Sequence, residues 1–220
     1  MDDKIIEENN IEEIKTEEAV ASKKKNGFLG TLINALLFII LIILGARLIF
    51  TVFFMGVYVV GDSMMPNFYG AATETEKGGD YVFVNKFATP ERGDVVVIAV
   101  ENEGEEVAII KRVIGMEGDS LYLYRGQLYI KYAGSSDFVL FEEDYIDEQY
   151  NNPNLSYNST SIVTVPENCI YVLGDNRNIS KDSRAKEYGC FDLDDVYGVI
   201  PDWSLDYKQT ISDIYNFFKI

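Results

Sequence analysis

The sequence predicts a mainly β protein: an antiparallel sheet or barrel-like domain outside a membrane, preceded by one N-terminal transmembrane helix. Three observations carry this. Phe28 to Ala46 is a 19-residue run with no charge. After it come short runs of β-branched and aromatic residues, many separated by glycine. No helix-period pattern longer than a few turns appears until the C-terminus.

Residues 1–27 form an acidic tail ending in a basic flank, Lys23, Lys24 and Lys25. Their scattered isoleucines support at most a marginal amphipathic helix. Residues 28–49 form the anchor. At about 1.5 Å per residue, 19 residues span about 28 Å, the thickness of a bilayer's hydrocarbon core. A cleavable leader would have an apolar region of about 7–15 residues and a small-x-small exit. The lysines precede the span and Arg47 alone lies close behind it, which places the N-terminus in the cytoplasm and residues from about 50 onward outside. Residues 50–201 form the β-rich domain. Its candidate strands are 57–60, 81–84, 94–98, 107–110, 121–124, 128–130 and 169–173, with a hairpin turn at Arg125-Gly126-Gln127. Residues 134–163, rich in Asn and Ser, read as a polar excursion from it. Residues 202–220 are a C-terminal amphipathic segment, too short to cross a bilayer. They either dock on the β domain or lie in the membrane interface through Trp203, Tyr207, Phe217 and Phe218.

Composition excludes several chemistries. The chain has 220 residues and no histidine, so it holds no Ser-His-Asp or Cys-His centre and no histidine-ligated metal. Two cysteines are too few for a four-thiolate zinc site, and the reading calls for no metal and no cofactor. Nineteen basic residues against 36 acidic ones give a net charge of −17, which disfavours nucleic acid. Cys169 and Cys190 either pair or stay separate buried thiols.

A hydrolase without histidine needs another base, and a lysine serves when burial lowers its pKa. Ser63 follows a strand in Val-Val-Gly-Asp-Ser-Met-Met-Pro. Lys111 ends an apolar strand run beside Arg112. Neighbouring strand residues face opposite sides, so Lys111 and Arg112 do not point the same way, and only the lysine can lose its proton on the apolar side. Taken singly, Ser63 also reads as a turn serine and Lys111 as a surface lysine.

The wider motifs resemble those of the bacterial type I signal peptidases. Four blocks are similar, in order: Gly61-Asp62-Ser63-Met64-Met65-Pro66; Arg92-Gly93-Asp94-Val95-Val96-Val97; Lys111-Arg112-Val113-Ile114-Gly115 with Gly118-Asp119; and Gly174 to Arg184. The resemblance runs from about the anchor to Pro201, making residues 50–201 a peptidase domain. It implies a membrane-bound serine endopeptidase that removes signal peptides from secreted preproteins. Ser63 would be the nucleophile and Lys111 the general base. Ser180 would hydrogen-bond and orient the Lys111 amine. Asp182 and Arg184 would form an ion pair that shapes the site, and Gly174 and Asn176 would support the same wall. The Ser63 N–H would be one oxyanion donor; Gly61 offers no hydroxyl for a second. Asn67 and Phe68 depart from the family's Thr-Leu and would alter the pocket floor. Val57, Val59, Met64 and Ile110 flank the Ser63–Lys111 dyad and would leave shallow pockets for small residues of a substrate bound as an added strand.

The expected partners are signal-peptide-bearing preproteins, the lipid bilayer and the secretion machinery, at a bacterial cell membrane crossed once with the catalytic domain on the outer face. The alternatives are another Ser-Lys peptidase of the same fold, or a catalytically silent paralogue acting as a binding module.

Overall fold

The computed structural model describes residues 30–73, 75–102 and 104–218. The chain divides into two units between Val52 and Phe53. The described residues of the first form one helix, α1 (Gly30–Phe53), long and apolar enough to cross a membrane. Its side chains are exposed along its length, and Thr51 Oγ1 donates back to the Arg47 and Leu48 carbonyls.

The second unit is two antiparallel sheets. The seven-stranded sheet contains β1 (Phe54–Tyr58), β2 (Tyr81–Asn85), β3 (Val95–Asn102), β4 (Glu105–Met116), β9 (Cys169–Leu173), β10 (Phe191–Asp192) and β11 (Val196–Val199). Its order is β1-β2-β11-β3-β4-β9-β10. The four-stranded sheet contains β5 (Ser120–Tyr124), β6 (Gln127–Lys131), β7 (Val139–Phe141) and β8 (Val163–Thr164), in the order β7-β6-β5-β8. β5 and β6 join through Arg125-Gly126, both with positive φ (51° and 80°). That is the geometry a two-residue hairpin needs to match strand twist.

Burial follows the pleat. In β2, Val82 and Val84 are fully buried while their neighbours are half-exposed. β3 departs from this: Val95, Val96, Val97 and Ile98 are all buried. Its odd residues enter one core, with Val59, Met64, Phe68, Val82, Val84, Ile110 and Ile200. Its even residues enter a second, with Val113, Ile170, Val172 and Phe191. An unbroken apolar run is what a strand covered on both faces requires. A third core joins β5, β6 and β9 around Leu121, Leu128 and Tyr171.

β4 changes partners along its length. Glu105–Arg112 pairs with β3, and Arg112–Met116 pairs with β9 across an irregularity between Val113 and Gly115. The half of β4 that precedes Arg112 therefore keeps its second edge out of the β9 ladder. That edge and the edge of β1 line the site described below.

The C-terminal segment docks on the β unit. Helices α2 (Asp202–Asp206) and α3 (Lys208–Phe218) pack against β2. Ser204 Oγ accepts the Phe83 N–H and Ser212 Oγ accepts the Tyr81 N–H, each at 2.8 Å. Lys208 pairs with Asp80 at 3.0 Å. Of the residues offered above for the membrane interface, Trp203 packs against Phe54 and Phe83. Tyr207, Phe217 and Phe218 stay exposed, so the segment is docked along one face and apolar on another.

The 134–163 excursion is polar but anchored inward. Arg177, fully buried, holds Glu143 through both terminal guanidinium nitrogens. Asn158 is buried and receives Arg184 Nη1.

Candidate active site

The first motif block, Gly61 to Pro66, forms a turn after β1. Gly61 has φ +76°, a conformation favouring glycine, and the Met65-Pro66 peptide is cis. Met64 and Phe68 anchor the turn in the core beneath it. Phe68 is therefore part of the core, not of an open pocket floor. Asn67 Nδ2 donates to the Tyr145 carbonyl at 2.7 Å and to Asp175 Oδ2 at 2.9 Å, so it too faces inward.

Ser63 and Lys111, 48 residues apart in the chain, meet here. Lys111 Nζ lies 2.9 Å from Ser63 Oγ and donates to the Ile110 carbonyl at 2.7 Å. Lys111 is 3% exposed. Burial pushes its pKa down from the ordinary 10.5 to about 8, because a buried ammonium loses its hydration. The Asp182 and Asp175 charges oppose that fall, and the Arg184 charge assists it. Each carboxylate is already held by an arginine through two bonds. Asp182 accepts Arg184 Nε and Nη2, both at 2.8 Å. Asp175 accepts Arg112 Nε at 2.8 Å and Nη2 at 2.7 Å. Lys111 and Arg112 thus point to opposite sides of β4, one toward Ser63 and the other toward Asp175.

The Asp182 carboxyl stays below its ordinary pKa. Burial acts to raise it, but the Arg184 bonds and charge and the Gly174 N–H (3.0 Å) outweigh burial. Gly174 and Asn176 both pack against the Ser63 turn. Asn176 N donates to the Ser63 carbonyl at 3.0 Å, and its side-chain amide donates to the Asp62 carbonyl at 3.1 Å. A Cβ on Gly174 would lie 2.1 Å from Ser180 Oγ and 2.5 Å from the Ser63 carbonyl oxygen. Only glycine lets the three segments approach so closely.

Ser180 differs from expectation. Its hydroxyl is buried but makes no hydrogen bond among the described residues, so the bond expected to the Lys111 amine is not formed. It approaches Asp182 closely enough to help keep that carboxyl low without completing a bond of ordinary geometry.

Ser63 and Lys111 close one end of a cavity of about 620 Å³. The strand segment Gly56–Val60 forms one side and Glu106–Lys111 the other. Val57, Val59, Met64 and Ile110 all line it; the last three are also core residues, which keeps the floor rigid. Sequence reasoning missed Tyr81, Tyr215 and Glu106, which also line the cavity, and Asp175, whose place inside the last motif block was the available signal. Cys169 and Cys190 are free thiols outside this cavity, and burial together with Cys169 pushes the Cys190 pKa up to about 11.

A hydroxyl beside a buried amine, set in a slot between two strand edges, has the parts for cleaving an extended peptide, and the protein is a peptidase. Residues 32–202 match the model of the family described as signal peptidase, peptidase S26, and the chain belongs to that family. Among similar proteins, signal peptidase I P of Bacillus subtilis subsp. natto is 30% identical over 80% of this chain and 89% of its own. Signal peptidase IB of Staphylococcus aureus is 32% identical over 76% of this chain and 83% of its own. A solved signal peptidase I from Enterococcus faecalis is 29% identical, covering 52% of this chain and 98% of its own, with a TM-score of 0.40.

Proposed function

We propose that this chain removes signal peptides from secreted preproteins, with Ser63 as nucleophile and Lys111 as general base. The observation that carries the reading is the 2.9 Å approach of a buried lysine amine to the Ser63 hydroxyl inside the slot. Ser63 Oγ attacks the scissile carbonyl carbon while its proton passes to neutral Lys111 Nζ. The ammonium then returns that proton to the departing amine, leaving an ester on Ser63. Lys111 next takes a proton from water, whose oxygen attacks the ester, and returns it to Ser63 Oγ as the ester C–O bond breaks, restoring the hydroxyl and the neutral amine. The Ser63 N–H makes no hydrogen bond among the described residues and is available to the oxyanion. Gly174 and Asn176 hold the turn, and the Asp182–Arg184 pair braces it from behind. Ser180 orients the amine once its hydroxyl turns toward it. Val57, Val59, Met64 and Ile110 leave room for small side chains next to the scissile bond.

The N-terminus lies in the cytoplasm and the β unit outside a bacterial cell membrane, a reading supported by Lys23, Lys24 and Lys25 before the apolar run. There the substrates are preproteins emerging from the secretion machinery.

The test is preprotein cleavage by the full-length protein in detergent. Ser63→Ala is expected to abolish turnover. The wild-type rate is expected to rise along an acid limb with an apparent pKa of about 8, since the base must be neutral. Lys111→Arg stays inactive at every pH because a guanidinium keeps its proton. Cleavage by Ser63→Ala, or substantial activity in Lys111→Arg, rejects the mechanism.

A further inference from the structure

The slot is longer than its reactive end needs. β1 and β4 run in the same direction within the antiparallel sheet, and their chains lead toward Ser63 and Lys111 respectively. Gly56 and Glu106 therefore lie at the opposite end. Glu106 precedes Lys111 by five residues, roughly 17 Å of strand.

That far end is built around two tyrosines. A Cβ on Gly56 would lie 1.8 Å from the Tyr81 hydroxyl oxygen, so the glycine is what lets the Tyr81 ring lie across β1. Tyr81 stacks on Tyr215, with centroids 3.9 Å apart and planes 9° apart, and Tyr58 packs against Tyr215 at 5.4 Å. The Tyr81 hydroxyl makes no hydrogen bond among the described residues. Tyr215 is delivered by α3, which follows the region matched by the family model. α3 is fixed by the Ser212–Tyr81 and Lys208–Asp80 contacts and by Asn216 Nδ2 donating to the Gly79 carbonyl at 3.1 Å.

We propose that α3 completes a second substrate subsite, in which the Tyr81–Tyr215 platform binds an apolar side chain four to five residues before the scissile bond. The inference rests on the proposed signal-peptide cleavage. Stacked rings beside a glycine backbone offer apolar area to a substrate side chain. The Glu106 carboxylate at the same end repels an acidic residue. A signal peptide places its apolar stretch just upstream of the small-x-small segment. With the small residues beside Ser63, the last residue of that stretch reaches the platform. An extended chain spans the distance while bonding to both strand edges.

The experiment uses the full-length protein in detergent and three fluorogenic peptides, identical except for Leu, Gly or Asp at the fifth residue before the scissile bond. Wild type is expected to prefer Leu to Gly about tenfold in kcat/KM, mainly through KM, and to handle Asp worst. Tyr215→Ala is expected to bring the Leu-to-Gly ratio within about twofold, and Tyr215→Phe to keep it. A wild-type ratio near one, or an unchanged ratio in Tyr215→Ala, overturns the proposal. A photoreactive phenylalanine at the same position provides a measurement independent of how that variant folds. On Ser63→Ala it should cross-link to the segments holding Tyr81 and Tyr215, and cross-links confined elsewhere overturn the subsite. Failure of the underlying reading looks different: all three peptides are then cleaved by Ser63→Ala.

Discussion

Replacing Lys111 with methionine should make the protein inactive and more stable. The ammonium is disfavoured by burial, which holds the lysine pKa near 8 against an ordinary 10.5. Each pKa unit corresponds to about 1.4 kcal/mol, so keeping this lysine folded below pH 8 costs about 3 kcal/mol. Methionine fills similar volume without that cost, but it forfeits the bonds to Ser63 Oγ and the Ile110 carbonyl, worth about 1 kcal/mol together once water is counted. The net gain at pH 7 is about 2 kcal/mol. For a unit of this size that raises Tm by about 4–8 °C. The sign with pH follows from proton counting. Between pH 8 and 10.5 the unfolded chain binds the proton that the folded chain has released, so wild-type stability rises with pH there. The advantage of Lys111→Met should shrink over that window and be gone above it. Thermal melts of full-length wild type and variant in detergent, from pH 6.5 to 10.5, measure this. A variant less stable than wild type at pH 7, or an advantage that does not change with pH, would refute the reasoning that burial sets the lysine's charge.

Two other substitutions probe the frame around the site. Gly174→Ala should lower kcat by about a hundredfold with the fold retained, because its Cβ displaces the Ser63 carbonyl and Ser180 together; steady-state kinetics beside circular dichroism would detect it, and near-normal kcat would contradict the close packing. Arg177→Met leaves the largely enclosed Glu143 without its cation and should destabilise by about 3 kcal/mol, read as a fall in Tm; an unchanged Tm would mean that the excursion is not held by this pair.

The parts of the fold that sequence could show are those with local periodicity. β2, β5, β6 and β9 lie where their alternating or fully apolar runs placed them, and the Arg125-Gly126 turn follows from its own residues. β7, β8, β10 and β11 are two to four residues long and exist only because a neighbouring strand presents an edge. β4 extends past Lys111 to Met116 because β9 takes over as its partner there, and nothing in the run itself announces the exchange. The site divides in the same way. Ser63 and Lys111 stood out as polar residues at the ends of apolar strands. Of the carboxylates acting on Lys111, Asp182 was reached only through the family resemblance and Asp175 was missed, since both reach it across more than 60 residues of chain. The pairing of Glu143 with Arg177 and the arrival of Tyr215 at the slot are equally products of tertiary packing.

The docking of α2 and α3 has a bearing on which borders of the sheet can capture a passing chain. In β2, the N–H groups of Tyr81 and Phe83 face the same side as Asn85, where β11 pairs with a single residue. Left open, such a row would attract any passing extended segment and template its aggregation. Ser204 and Ser212 occupy those donors with hydroxyls. The sheet is sealed against stray guests along this border, while the border beside Ser63 stays open, where a captured strand would be severed and released instead of accumulating.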